Sequence, residues 1–191
     1  MAASAAGTPQ SSRFERMQRK YLGQCHCGKV AYAVEADLEG GPNAICNCTN
    51  CNMKGFLHHH VEKARFKLLT AFDDLKLYKF GTLSAEHYFC KFCGVESFYR
   101  SRSDPHMWDI NLRCLRHADT GKRVDIYALS YELHDGEHWE ESQRVRHERE
   151  RRAQEAGIPH QPESWRLIAP AECVAPDLNV AAAFRQTWES D

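Results

Sequence analysis

The sequence lacks a long apolar run and carries almost no net charge. Its 25 lysine and arginine residues nearly balance 26 acidic residues, which leaves a formal charge of −1. A chain with so little charge has no long-range field to attract nucleic acid or an anionic membrane, so we expect no direct nucleic-acid binding. No apolar stretch approaches the ~20 residues of a membrane-spanning helix, so we expect no membrane association either.

The first ten residues lack the apolar segment of a secretory signal peptide. We therefore expect the thiols to face a reducing compartment, the cytoplasm or the nucleus or both. The lead has no acidic residue before Glu15 and faintly resembles a mitochondrial transit peptide. We prefer to interpret residues 1–20 as a flexible lead, because small and polar residues followed by basic ones dominate it.

The chain has nine cysteines, and seven of them fall into three tight groups. In a reducing compartment, clustered cysteines are typical of metal ligands rather than of disulfides, and the spacings here are typical of zinc sites. The isolated pair, Cys114 and Cys173, is expected to behave as small buried apolar residues. The three groups are Cys25 with Cys27, Cys46 with Cys48 and Cys51, and Cys90 with Cys93.

Ligand counting predicts that the seven thiolates divide into four and three. A pair of cysteines cannot complete a tetrahedral zinc site, so Cys25 and Cys27 need a distant pair, which Cys90 and Cys93 supply. Gly94 permits the backbone turn around the metal. We expect this four-cysteine site to be structural, with its binding energy contributing directly to folding.

Cys46, Cys48 and Cys51 remain for a second zinc, with one coordination position left open. An open position is typical of catalytic sites, and a sulfur-rich, anionic centre suits the binding and release of a thiolate. Two alternatives stay open at this point. A histidine can close the site and make it structural, or the group can be a redox cluster or bind metal only weakly. The candidate histidines are His58, His59, His60 and His87.

Short runs rich in β-branched and aromatic residues predict a mainly β domain over residues 21–135. Residues 39–43, with two glycines and a proline, predict a turn. The predicted strands cover residues 29–35, 55–61, 65–69, 75–80, 86–90, 95–100, 108–112 and 124–133.

The composition changes at His134, and a charged helix and C-terminal tail are predicted over residues 136–191. Residues 137–156 are dense in glutamate and arginine at spacings that allow i,i+4 pairs, which indicates a solvated helix. A protein partner can bind through this region. Side chains suited to docking in the tail are Trp165, Leu167, Ile168, Phe184 and Trp188.

Several segments resemble the family of glutathione-dependent formaldehyde-activating enzymes, and more particularly its centromere protein V branch. Together they span roughly residues 21–140. One difference is Asn47, which stands where the bacterial members usually have histidine. The matching segments are residues 23–30 (GQCHCGKV), 46–51 (CNCTNC), 65–69 (RFKLL) and 89–99 (FCKFCGVESFY).

The resemblance implies a β-tent-like fold with two zinc ions, held by the same four and three cysteines. It also implies a carbon–sulfur lyase that joins formaldehyde to glutathione, or breaks down S-(hydroxymethyl)glutathione or a similar adduct of a small thiol. Glutathione brings two carboxylates, so Lys54, Arg100 and Arg102 are candidates to bind them. His87 is a candidate proton shuttle near neutral pH. The alternative function is a non-catalytic zinc module that binds a protein partner.

The histidine triplet at residues 58–60 is predicted to lie on a strand. Side chains alternate between the two faces of a strand, so His58 and His60 should share one side, while His59 lies on the other. One of the two is expected to face the open site. The triplet itself is not expected to be a metal site.

Overall fold

The computed structural model describes residues 18–157 and the backbone of a short strand at residues 165–166. The helices are α1 (Thr49–Lys54) and α2 (Trp139–Ala156), and three short 3-10 turns cover Lys63–Arg65, Phe72–Asp74 and Leu112–Cys114. The strands are β1 (Arg19–Gln24), β2 (Ala31–Ala36), β3 (Asn43–Cys46), β4 (Leu57–Glu62), β5 (Phe66–Leu68), β6 (Leu75–Tyr78), β7 (Glu86–Cys90), β8 (Glu96–Arg100), β9 (Met107–Asn111), β10 (Leu115–His117), β11 (Ser130–His134) and β12 (Trp165–Arg166).

The strands form two sheets. The smaller sheet has the order β10-β1-β2-β5, and the larger has the order β12-β11-β3-β4-β9-β8-β7-β6. Neighbouring strands are antiparallel, with the exception of β3 and β11, which pair in parallel with Cys46 opposite His134. Because parallel strands end at the same sheet edge, the chain leaves β3 and β11 side by side. This pairing positions the site described below.

The core lies between the sheets and is rich in aromatic side chains. Tyr32 is fully buried, and its ring contacts those of Phe66 and Phe98 at centroid distances of 5.1 and 5.3 Å. The Tyr32 hydroxyl donates a hydrogen bond to the carbonyl of Ser97 at 2.9 Å, so its buried polar atom is satisfied. Gly23, directly opposite on β1, leaves the space for this ring, since a Cβ there would lie 2.0 Å from it.

The expectation of a mainly β fold is confirmed, with differences at particular strands. The strand predicted at residues 86–90 has those bounds, whereas β1, β3, β10 and β12 were not predicted. The first described strand begins at Arg19, two residues before residue 21, where the β domain was expected to begin. The predicted strand 124–133 is wrong in its first half, because only Ser130–His134 pairs as a strand. Residues 125–128 turn instead, since Asp125 accepts backbone hydrogen bonds from Tyr127 and Ala128.

Helix α2 confirms the prediction of a solvated charged helix. None of its residues is buried. Glutamate and arginine side chains form i,i+3 and i,i+4 pairs along it, such as Arg146 with Glu150 at 2.9 Å. No helix among the described residues is long and apolar enough to span a membrane. The predicted flexible lead, apart from residues 18–20, and the docking side chains and Cys173 of the tail lie outside the described residues.

Candidate metal centres and the adjoining cavity

Two cysteine turns of the same design bring four thiols together. In the first turn, the Cys25 amide donates to Val30 and the Gly28 amide donates to Cys25. In the second, Cys90 and Gly94 repeat this pattern: the Cys90 amide donates to Val95, and the Gly94 amide donates to Cys90. The two glycines have φ values of +77° and +73°, a region that side chains with a Cβ rarely occupy. Glycine is therefore required where each turn closes.

The sulfur positions in this group fit zinc. Cys27 Sγ lies 3.6 Å from both Cys25 Sγ and Cys90 Sγ, and all four sulfurs, including that of Cys93, lie within 4.8 Å of one another. Four sulfurs around a tetrahedral zinc, at the usual zinc–sulfur distance of ~2.3 Å, would be ~3.8 Å apart. The group joins β1 and β7, strands of different sheets.

The three-cysteine group is assembled where β3 leads into α1. Cys46 ends β3, Cys48 is the N-cap of α1, and Cys51 lies in its first turn, with its amide donating to Cys48 Sγ at 3.5 Å. The three sulfurs lie within 4.8 Å of one another. Hydrogen bonds from the Cys46 and Cys51 thiols lower the pKa of Cys48, which favours one thiolate within the group. An all-sulfur donor set suits zinc and not magnesium or calcium.

No histidine joins the three sulfurs in the part of the chain that the structure describes. The group that meets within 4.8 Å contains no nitrogen or carboxylate oxygen ligand. Nδ1 of His58 bonds to Asp109 at 3.0 Å, and Nδ1 of His59 bonds to Asn43 at 2.8 Å. The absence of a described nitrogen ligand from the group of sulfurs favours the open site over the histidine-closed alternative.

A cavity of about 390 Å³ adjoins the three cysteines. Two of the predicted functional side chains, His87 and Arg102, contribute to its lining. The described lining includes neither Lys54 nor Arg100. Lys54 forms an ion pair with Glu96, and Arg100 forms one with Glu86, at the register position opposite Arg100 in the β7–β8 pair.

His87 is held in one orientation by neighbours that sequence reasoning missed. Its Nδ1 lies 2.8 Å from a carboxylate oxygen of Glu96, whose side chain is only 3% exposed. The ring stacks on Tyr99 at a centroid distance of 4.7 Å and an interplanar angle of 7°. A proton on Nδ1 satisfies Glu96 and leaves Nε2 with a free lone pair. The sequence does contain an indication of this role, since Glu96 is a charged residue within the predicted strand 95–100.

A second network, around Asp109 on β9, was also missed. His58 Nδ1 and His60 Nε2 lie 3.0 and 3.4 Å from the same oxygen of Asp109, and all three residues line the cavity. Burial opposes the charge of Asp109, but the two histidines and the Tyr99 hydroxyl lower its pKa to about 2. The histidines confirm the prediction that His58 and His60 share one face of the strand.

Residues 134–140 form one wall of the cavity against the three cysteines. The Asn47 side chain donates to Asp135 at 2.9 Å and accepts from the Glu137 amide at 3.0 Å. Gly136 lies so close that a Cβ there would be 2.4 Å from Cys46 Sγ. Asn47, the residue that departs from the bacterial pattern, therefore clamps this segment over the site.

Comparisons with known proteins identify a family. Residues 20–130, more than half of the chain, match the family model described as glutathione-dependent formaldehyde-activating enzyme. The match does not distinguish the centromere protein V branch, which stays a prediction. A crystal structure of a Rhodobacter sphaeroides protein is 32% identical; the match covers 50% of this chain and 87% of that chain, with a TM-score of 0.46.

Proposed function

Because this chain belongs to the glutathione-dependent formaldehyde-activating enzyme family, we propose that it is a zinc-dependent carbon–sulfur lyase. Its substrate would be the adduct of a small thiol and an aldehyde, such as S-(hydroxymethyl)glutathione. The observation that supports this proposal most is the meeting of three sulfurs, without a fourth protein ligand among the described residues, at the wall of a cavity. Such an incomplete ligand set is typical of catalytic zinc.

The two groups of sulfurs would hold two zinc ions with different roles. The four-cysteine group is saturated with protein ligands, so its ion would stabilise the connection between the sheets. Bound by Cys46, Cys48 and Cys51, the other zinc would supply a positive centre that favours the thiolate form of a substrate thiol. All of the sulfurs must lose their protons when the ions bind.

Residues around the cavity would accept and return the proton of the substrate hydroxyl group. In the breakdown of a hydroxymethyl thioether, His87 Nε2 accepts the hydroxyl proton while the oxygen electrons form the carbonyl bond. The carbon–sulfur bond breaks at the same time, and the sulfur leaves with the bonding pair as a thiolate. Glu96 stabilises the charged imidazole and keeps its orientation. Formation of the adduct is the reverse of these steps.

Arg102 is the proposed contact for a substrate carboxylate, which would compete there with the Glu140 carboxylate at 3.0 Å. Lys54 and Arg100 were also predicted to bind carboxylates. Their ion pairs with Glu96 and Glu86 support a different proposal for them, in which they fix the side chains of the β7–β8 pair.

The test is the rate at which the purified zinc protein interconverts formaldehyde, glutathione and their adduct, followed by NMR exchange spectroscopy. We expect acceleration by the native protein and its loss in Cys48→Ser, with one zinc per chain remaining. Cys114→Ser is the matched control, because Cys114 lies outside both groups, and it should keep both zincs and the full rate. No acceleration over the uncatalysed exchange with any of several thiols would refute the proposal.

A second candidate function is a non-catalytic zinc module that binds a protein partner through residues 136–191. The observation that favours it is α2, none of whose residues is buried, so that much of the helix surface beyond its first turn is exposed. In that case, partner binding would survive Cys48→Ser and would be lost when residues 137–191 are removed. Binding that depends on Cys48 and not on those residues would contradict it.

A further inference from the structure

The cations of the cavity are already paired with carboxylates of the chain. Arg102 Nη2 lies 3.0 Å from Glu140 Oε1, and its guanidinium lies over the ring of Trp139 at 5.1 Å. The other arginine of the described lining, Arg146, pairs with Glu150 at 2.9 Å. A carboxylate entering the cavity therefore meets no described arginine that lacks a partner.

Carboxylates outnumber guanidinium groups in the described lining. Asp104, Asp109, Glu137 and Glu140 contribute four, against two arginines. The low pKa of Asp109 keeps it charged at neutral pH. A zinc held by three thiolates adds a further formal negative charge. The cavity thus disfavours an incoming anion and favours a neutral or positively charged ligand.

Glu140 is positioned by a segment that follows the family match, which ends at residue 130. The parallel pairing of β3 and β11 sets His134 beside Cys46, and Asn47 then bonds to Asp135 and Glu137. Helix α2 begins two residues later, with Glu140 in its first turn. The pairing of Glu140 with Arg102 is therefore built on the site itself.

We propose that Glu140 is a specificity-determining residue, which occupies the carboxylate position on Arg102 and directs the site toward small thiols that carry no carboxylate. The inference rests on the proposed function and names the substrate class of the same site. A substrate carboxylate has to displace Glu140 and then remains near it. An aminothiol meets no such competition, and its ammonium group is attracted by Asp104 and Glu137.

The experiment compares glutathione with cysteamine in the native protein, E140Q and E141Q. Glu141 pairs with Arg144 on the same helix at 2.6 Å and is not part of the described cavity lining, so E141Q removes an equivalent ion pair elsewhere. Binding of each thiol to the zinc-loaded protein is measured by calorimetry, and breakdown of each hydroxymethyl adduct is measured as kcat/KM.

We expect the native protein to prefer cysteamine. E140Q should strengthen glutathione binding roughly two- to fivefold, the upper part of the range for an exposed ion pair, because the Glu140 side chain is 81% exposed. Cysteamine binding should stay equal or weaken, and E141Q should match the native protein with both thiols. A native preference for glutathione, or an equal effect of E140Q on both thiols, would overturn the inference.

The two proposals fail in different ways. If no adduct reacts with the native protein, the lyase function is refuted, while the calorimetric order of the two thiols still tests the role of Glu140. If adducts react but glutathione is preferred, the function stands and the inference about Glu140 is wrong.

Discussion

Gly136→Ala should weaken the three-cysteine site selectively. A Cβ on Gly136 would lie 2.4 Å from Cys46 Sγ and 3.0 Å from Cys48 Cβ, whereas nonbonded heavy atoms normally approach to ~3.5–4.0 Å. The segment is fixed by the β3–β11 pairing and by both hydrogen bonds of Asn47. The sulfur of Cys46 must therefore shift by about 1 Å to make room.

Overpacking of a close contact costs about 1–3 kcal/mol. If this cost falls on the metal site, the zinc dissociation constant rises about five- to 150-fold. Competition with a chromophoric chelator measures the zinc dissociation constants of both sites. The phase of zinc release that is missing in Cys48→Ser belongs to the three-cysteine group. The phase of the four-cysteine group should be unchanged, because Gly136 contacts none of its sulfurs.

Gly157→Ala provides the control. Gly157 ends α2 with a φ of +65° and would place its Cβ in open space, so alanine strains the helix end without touching a cysteine. Its zinc affinities should equal those of the native protein. If Gly136→Ala also retains native affinity at both sites, the contact between Gly136 and the sulfur does not constrain the metal group, and the reasoning is wrong.

Three further predictions concern single polar side chains. E96Q should lower the free energy of unfolding by about 1.5–3 kcal/mol in urea, because Glu96 bonds to His87 and carries a buried charge; an unchanged midpoint would contradict this. Burial lowers the pKa of His59 from 6.5 to about 4. Between these two pH values, the unfolded chain takes up a proton at His59 and the folded chain does not. The free energy of unfolding therefore decreases as the pH falls from about 6.5 to about 4. The expected loss is roughly 3 kcal/mol. H59N should lack this part of the pH dependence, although its amide can still donate to the Asn43 side-chain oxygen. An identical pH profile in H59N would exclude His59 as the source. N47A removes the acceptor of the Glu137 amide hydrogen bond. Loss of a bond worth ~1 kcal/mol should make this amide exchange its hydrogen about fivefold faster, as measured by NMR. Unchanged exchange would show that Asn47 does not hold residues 135–137 in place.

Hydrogen-bond partners distant in sequence explain what was missed at the site. Glu96 and Asp109 are single acidic residues in predicted strands, and nothing local indicates which face of the sheet they occupy. Asn47 contacts residues 88 and 90 positions further along the chain. Its role depends on the parallel pairing of β3 and β11, and β3 is a four-residue strand that was not predicted.

The sequence by itself determined the local features: the mainly β fold, the solvated helix, and the division of seven cysteines into turns that can each present sulfurs to one ion. These depend on spacings of a few residues, where backbone geometry leaves little choice. Only the tertiary structure decided what surrounds the open cysteines, including the carboxylate behind His87 and the pairing of Arg102 with Glu140. The first contact depends on the register of the paired strands β7 and β8, and the second joins the residues after β8 to helix α2; neither follows from a pattern along the chain.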